Sequence, residues 1–244
     1  MSLLEIKENI HLKLKFSGID HPNFCMNKEH FKNYTKLVSY EYNSRGFRDQ
    51  EWPIDLKNRI WCIGDSFTVG LGQPAEETWP ALLEKKIGER CINIGEDGCS
   101  NDLMSLRAEY IKKEMEPKII IIIWSFFWRR FINGKNVHFD YNKRELPKDD
   151  IENFVKNFIK VNQNPNCKIL NYFIPDCMIT SSSTLLRSIK DKNKKNFIKL
   201  LKYHYPTVDF LNCEEIEQLD FSRDGLHFDI KTCQKIVESI MAKY

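Results

Sequence analysis

Glycine and proline are sparse in this chain, 10 and 9 residues in 244, which excludes a collagen-like or low-complexity organisation. Excess charge of either sign is lacking too. With 37 Lys and Arg against 34 Asp and Glu the net charge is only +3, without the large clustered basic footprint of a dedicated nucleic-acid binder. No long apolar run is present, and the longest, residues 119–128, is about half a membrane span. Residues 1–16 alternate charged and apolar positions and lack the unbroken apolar segment of a signal peptide. No C-x-x-C pair occurs, and the eight cysteines are scattered without zinc-finger spacing, so no metal site is expected. Several cysteines interrupt apolar strand-like runs, as Cys62 does, which favours small buried thiols in a reducing compartment over disulfides. A cytoplasmic protein with neither membrane nor nucleic-acid partners is expected.

Apolar material is ample, at 42% hydrophobic and 12% aromatic residues, enough for one large α/β domain. Residues 1–57 have no regular period and read as an irregular N-terminal extension packing on the domain. From residue 58 to 244 short apolar runs alternate with helical stretches. Strands are expected at residues 59–63, 91–94, 119–123, 168–174 and 208–211. Helices are expected at 78–86, with Thr78 as N-cap, then at 101–115, 147–161, 183–203 and 229–243. In the second of these, Leu103, Leu106, Tyr110 and Ile111 mark the apolar face. The β-branched run 119–123 suits a central parallel strand covered on both faces. The alternation implies a three-layer α/β/α sandwich, flavodoxin-like, with a parallel sheet of about five strands. Ligands of such sheets bind beyond the C-terminal strand ends.

Chemistry-bearing residues fall at those ends. The first strand runs into Gly64-Asp65-Ser66-Phe67-Thr68-Val69-Gly70, where a serine hydroxyl can project across the sheet edge. A capped turn explains the same residues equally simply. Asp224-Gly225-Leu226-His227 precedes the last helix and can present both a base and the acid that orients it, or a plain helix entry. The other histidines, His138 among them, have no acidic residue in a comparable setting. The second strand ends in Asn93-Ile94-Gly95-Glu96-Asp97-Gly98, whose glycines let backbone N–H groups approach a ligand or simply make a tight turn.

Taken together and in this order, G-D-S-x-T-x-G, N-x-G-x-x-G and D-x-x-H resemble the SGNH (GDSL) hydrolase family, over roughly residues 58–240. The resemblance implies Ser66 as nucleophile, His227 as general base and Asp224 as its orienting acid. It also implies oxyanion donors at the Ser66 and Gly98 amides, with no metal and no organic cofactor. The G-x-S-x-G elbow of other α/β-hydrolases is absent. The family's G-x-N-D, whose Asn is the third oxyanion donor, is missing as well, and Trp124-Ser125-Phe126-Phe127-Trp128-Arg129-Arg130 stands in its place. Ser125 and Asn101 are the candidate replacements. Phe126 and Arg129 are candidate substrate-binding residues, for an aliphatic or sugar moiety and for an anion respectively. Asn43-Ser44-Arg45-Gly46-Phe47-Arg48 also matches some SGNH-like sequences, as a pocket rim or as a packed turn. The expected function is hydrolysis of a small-molecule or glycan ester through an acyl-serine, with carbohydrate O-acetyl esters implied by the resemblance. The alternatives are an acyltransferase of the same fold and a binding domain with a relict triad.

Overall fold

The computed structural model describes residues 2–25, 29–138, 148–163, 165–174, 203 and 218–244. In chain order the elements are β1 (Lys13–Leu14), α1 (Pro22–Cys25), α2 (Glu29–Asn33), β2 (Tyr40–Glu41), β3 (Ile60–Ile63), α3 (Ser66–Val69), α4 (Trp79–Ile87), β4 (Cys91–Asn93), α5 (Asn101–Glu114), β5 (Ile119–Trp124), β6 (Arg129–Ile132), β7 (Lys135–His138), α6 (Lys148–Asn162), β8 (Lys168–Phe173) and α7 (Ile230–Met241). Among the described residues the main sheet has four parallel strands in the order β4-β3-β5-β8. The expected helix at 183–203 and fifth strand at 208–211 lie outside the described residues, apart from Tyr203.

Strand alternation sorts the apolar side chains into two cores. On one face Trp61, Ile63, Ile120, Ile122 and Trp124 meet α5 and α6; on the other Ile60, Cys62, Ile119, Ile121 and Ile123 meet α4 and α7. The result is the three-layer α/β/α sandwich. All six residues of β5 are buried, as an isoleucine run covered on both faces requires. Each such side chain contributes about 1.5–3 kcal/mol by burial. Of the six described cysteines, Cys25, Cys62, Cys91, Cys99 and Cys233 are buried and Cys167 is half-buried.

Some details differ from the sequence expectation. Thr78 sits at the N-cap of α4, but its hydroxyl donates to Ala75 O rather than accepting from the helix. On α5 the buried face is Leu103, Met104, Ala108 and Ile111, while Leu106 and Tyr110 are exposed. Arg107 occupies the inward position between them. Its guanidinium pairs with Glu96, donates to Leu3 O at 2.9 Å and lies 5.2 Å from the Phe47 ring, so its charge is satisfied in the interior. The N-terminal extension is more ordered than its irregular period implies, with β1 and β2 paired antiparallel and Leu4, Ile6 and Phe47 joining the main core. It also caps the sheet edge. Asn93 N donates to Asp49 Oδ2 (3.1 Å), and Cys91 N donates to Glu84 Oε2 from α4 (2.9 Å), closing β4 to further pairing.

Candidate active site

The turn after β3 is held together by its own residues. Asp65 is the N-cap of α3, its Oδ1 accepting from Phe67 N at 3.1 Å, and Gly70 ends that helix at φ +75°. A Cβ on Gly64 would lie 2.0 Å from Thr68 Oγ1, so only glycine permits the chain to turn this tightly. Thr68 Oγ1 accepts from Trp79 Nε1 (3.3 Å), and Thr68 O accepts from Asn93 Nδ2 (3.0 Å). Ser66, the first helical residue, is buried to 2% exposure.

The Asp224–His227 loop forms the second component. His227 Nδ1 donates to Asp224 Oδ2 at 2.7 Å, and Asp224 Oδ1 accepts from Leu226 N, His227 N and Ser222 Oγ at 2.7, 3.0 and 3.1 Å. Burial alone would raise the Asp224 pKa, but the imidazole and these N–H donors outweigh it and hold the carboxyl down at about 2. Burial likewise pushes His227 down, whereas Asp224, with Asp97 and Asp65 beyond it, lifts its pKa above the ordinary histidine value. The His227 ring lies 4.5 Å from the Phe67 ring, beside the residue that follows Ser66. Among the described residues Ser66 Oγ and His227 make no hydrogen bond. The two loops are joined directly through Arg223 N, which donates to Gly72 O at 2.8 Å.

The Ser66 and Gly98 N–H groups have no acceptor among the described residues. Both therefore remain available as donors. The β5 end is different. Asn101 Nδ2 donates to Ser125 O (3.1 Å) and Phe126 O (3.2 Å), while its Oδ1 accepts from Ser125 N (2.8 Å). With both amide hydrogens committed, Asn101 clamps the strand end instead of offering a donor. Ser125 Oγ donates to Asp65 Oδ2 at 2.5 Å and accepts from Arg129 Nη1 at 2.8 Å, so its one hydroxyl hydrogen is also taken. Arg129 Nη1 pairs with Asp65 Oδ2 at 2.5 Å and its guanidinium lies 4.9 Å from the Phe126 ring. The expectation of a free anion clamp at Arg129 does not fit this arrangement, because a buried carboxylate already balances its charge. Phe126 is half-buried and stacked on Trp128 at 4.6 Å, whereas Phe127 is core.

Sequence reasoning passed over two groups here. His138, at the end of β7, is solvent-exposed, and its Nε2 lies 2.7 Å from where a Cβ on Gly98 would stand. Asp97 also reaches solvent, although burial pushes its carboxyl pKa up, against the opposing pull of His227 and Arg129. The Asn43–Arg48 turn proves to be a brace: Asn43 Oδ1 accepts from Arg45 N and Phe47 N, and the buried Arg48 donates to the carbonyls of Ser39, Val69, Gly70 and Gln73. Nearby, Tyr40 Oη accepts from Gly72 N (2.8 Å) and donates to Asp20 (2.6 Å), which pairs with Arg223. The N-terminal segment thus ties the Ser66 turn to the His227 loop.

No protein-family model matches the sequence, and no curated protein matches it. Solved structures do. A member of the lipolytic protein G-D-S-L family from Veillonella parvula is similar with a TM-score of 0.53 at 16% identity, over 76% of this chain and 97% of that one. TesA gives a TM-score of 0.51 at 15% identity, over 76% and 97%. LAE5, an alpha/beta hydrolase enzyme from the metagenome of Lake Arreo, Spain, gives 0.51 at 15%, over 76% and 94%. The likeness is one of fold.

Proposed function

We propose that this chain, which has the SGNH hydrolase-like fold, is a serine ester hydrolase working through an acyl-serine at Ser66. The observation that carries the reading is the Asp224-held imidazole packed on Phe67, beside a serine whose own N–H and that of Gly98 are free. His227 Nε2 removes the Ser66 hydroxyl proton as Oγ bonds to the ester carbonyl carbon, and the two N–H groups receive the oxyanion. Collapse of the adduct breaks the ester C–O bond, and the imidazolium protonates the departing alkoxide. His227 then deprotonates water as its oxygen bonds to the acyl carbon. Collapse of this second adduct breaks the acyl C–Oγ bond while the imidazolium returns the proton to Ser66 Oγ and the acid departs. Serine–imidazole bonds of this kind commonly tighten only with substrate in place.

The charge balance favours an uncharged ester of a hydroxyl-rich alcohol, such as a sugar O-acetyl group. Asp65 already answers Arg129, and Asp97 adds a further negative charge, so an anionic acyl group gains little here. The stacked Phe126–Trp128 pair offers an aromatic face suited to a sugar ring. A series of p-nitrophenyl esters tests both statements. Acetate is expected to be the best substrate and a succinyl ester a poor one, and Ser66→Ala should lower kcat on the order of 10⁴-fold or more. Retention of a tenth of the wild-type rate by that variant would remove Ser66 from the mechanism.

A further inference from the structure

Of the acidic side chains around the strand ends, Asp65, Glu96, Asp102 and Asp224 are each matched, by Arg129, Arg107, Arg130 and His227 respectively. Asp97 is not. Its residue reaches solvent, and among the described residues its carboxylate pairs with no cation and accepts no hydrogen bond. We propose that Asp97 contacts the substrate and selects its alcohol, the carboxylate accepting a hydrogen bond from a hydroxyl that neighbours the ester oxygen. This role rests on the acyl-serine reading above.

The loop that carries Asp97 is pressed onto the Ser66 helix. Glu96 N donates to Gly64 O (3.2 Å), and a Cβ on Gly95 would lie 2.7 Å from Val69 N, a contact that only glycine avoids. Cys99 N then donates to Glu96 O (3.0 Å), closing a turn with Asp97 and Gly98 at its two central positions. The Gly98 N–H that receives the oxyanion and the Asp97 side chain therefore belong to one turn. From the other side the carboxylate is met by the N-terminal segment. Asp20 N donates to Ser17 O (3.0 Å), and a Cβ on Gly18, at φ +55°, would stand 2.5 Å from Asp97 Oδ2. After Asp224, Asp97 is the charge that most lifts the His227 pKa. His227 protonates the departing alkoxide, so the alcohol half of the ester lies at the imidazole, and an acceptor close to that ring meets this half of the substrate.

The chemistry of the group agrees with its position. Burial raises the Asp97 pKa, and no donor on the protein compensates. A substrate hydroxyl supplies that donor, and a hydrogen bond to a charged acceptor is stronger than a neutral one. Asp65, Asp97 and Asp224 outnumber Arg129 here, which disfavours an anionic alcohol and leaves a donor as the complementary group.

The test uses two acetates that differ in one donor hydrogen, 2-hydroxyethyl acetate and 2-methoxyethyl acetate, with acetylcholine as the ester of a cationic alcohol. kcat and KM are measured above the His227 midpoint for wild type, Asp97→Ala and Asp97→Asn, alongside fluorophosphonate labelling. Wild type is expected to prefer the hydroxyl ester by about tenfold in kcat/KM, mostly through KM. The preference should fall to within about twofold of unity in Asp97→Ala and to about threefold in Asp97→Asn, whose amide oxygen still accepts. A role confined to folding or to tuning His227 would lower both rates alike and leave their ratio unchanged, which would overturn the proposal. An Asp97-dependent preference for acetylcholine over the hydroxyl ester would also overturn it, in favour of a cation site. Wild type that labels at Ser66 but does not distinguish the two neutral esters would overturn this role alone. Wild type that neither turns over nor labels would overturn the acyl-serine reading and this role with it.

Discussion

The turn after β3 and the end of β5 lie side by side on the same sheet edge, yet they are built in opposite ways. The first is shaped locally: Gly64, Asp65 and Gly70 each have a steric or hydrogen-bonding reason within the turn to be where they are, and distant groups such as Arg48, Trp79 and Asn93 brace a conformation the turn already favours. The second depends on partners far away in the chain. Ser125 is positioned by Asn101 and Asp65, Arg129 by Asp65, and the following hairpin by Asp102 and Asn136. A short motif can therefore announce the first region, whereas the second becomes intelligible only when the fold is assembled.

The largest expected effects are in the locally shaped half and the loop that serves it. His227→Ala should cost on the order of 10⁴-fold or more in kcat. Because the base must be neutral, kcat/KM should rise with pH, and the Asp224 carboxylate sets the midpoint above the ordinary histidine value of about 6.5. Asp224→Asn should lower both that midpoint and kcat. A flat profile between pH 5 and 8 would contradict the assignment of the base. The same shifts bear on stability, with signs that follow from linkage. The raised His227 pKa contributes stability below the unfolded value that is lost as pH rises through the folded one. The depressed Asp224 pKa contributes stability above its unfolded value, lost as pH falls towards about 2.

Next come the bonds that join the two halves. Asp65 is fully buried and Arg129 nearly so, and Arg129→Gln leaves the carboxylate without its cation, with only the Ser125 hydroxyl and the Phe67 N–H as donors. The expected loss is about 3–5 kcal/mol in urea unfolding, with activity falling equally on neutral and anionic esters. A selective rise in KM for an anionic ester would instead return Arg129 to the role of substrate clamp. Arg48→Ala strips four carbonyls around the Ser66 turn of their donor, and should cost about 3 kcal/mol together with a fall in kcat. Unchanged kcat would show that the brace serves folding only.

The smallest effect belongs to the hairpin tip. Gly134 has φ +76° and nothing within 4 Å of its missing Cβ, so Gly134→Ala should cost only about 1 kcal/mol of backbone strain. Gly98→Ala, at a similar φ, should cost far more activity because the new methyl strikes His138.

Legibility follows the same division. The strands of the main sheet, α4 to α6, the Ser66 turn and the Asp224–His227 loop can be read in the sequence because periodicity and local turn chemistry determine them. The hairpin carried a readable signal, Asn133-Gly134, the two-residue type I′ turn with both φ positive, but it stands beside aromatics that read as core. The inward face of α5 was obscured by Arg107, an interior position taken by a charge that only Glu96 and Phe47 make tolerable. The commitments of Asn101, Ser125 and Arg129 were illegible because each partner lies on a different element. The same holds for Arg48, whose acceptors are the backbone carbonyls of distant loops.

One atom is decisive, the Ser66 hydroxyl oxygen. Incubating the full chain with a fluorophosphonate and locating the adduct by peptide mass spectrometry tests it most directly. The expected result is a single phosphonyl group on the peptide containing Ser66, formed faster as His227 deprotonates and absent from Ser66→Ala and His227→Ala. No adduct on wild type, or one that persists in Ser66→Ala, would contradict the claim that this serine is an activated nucleophile.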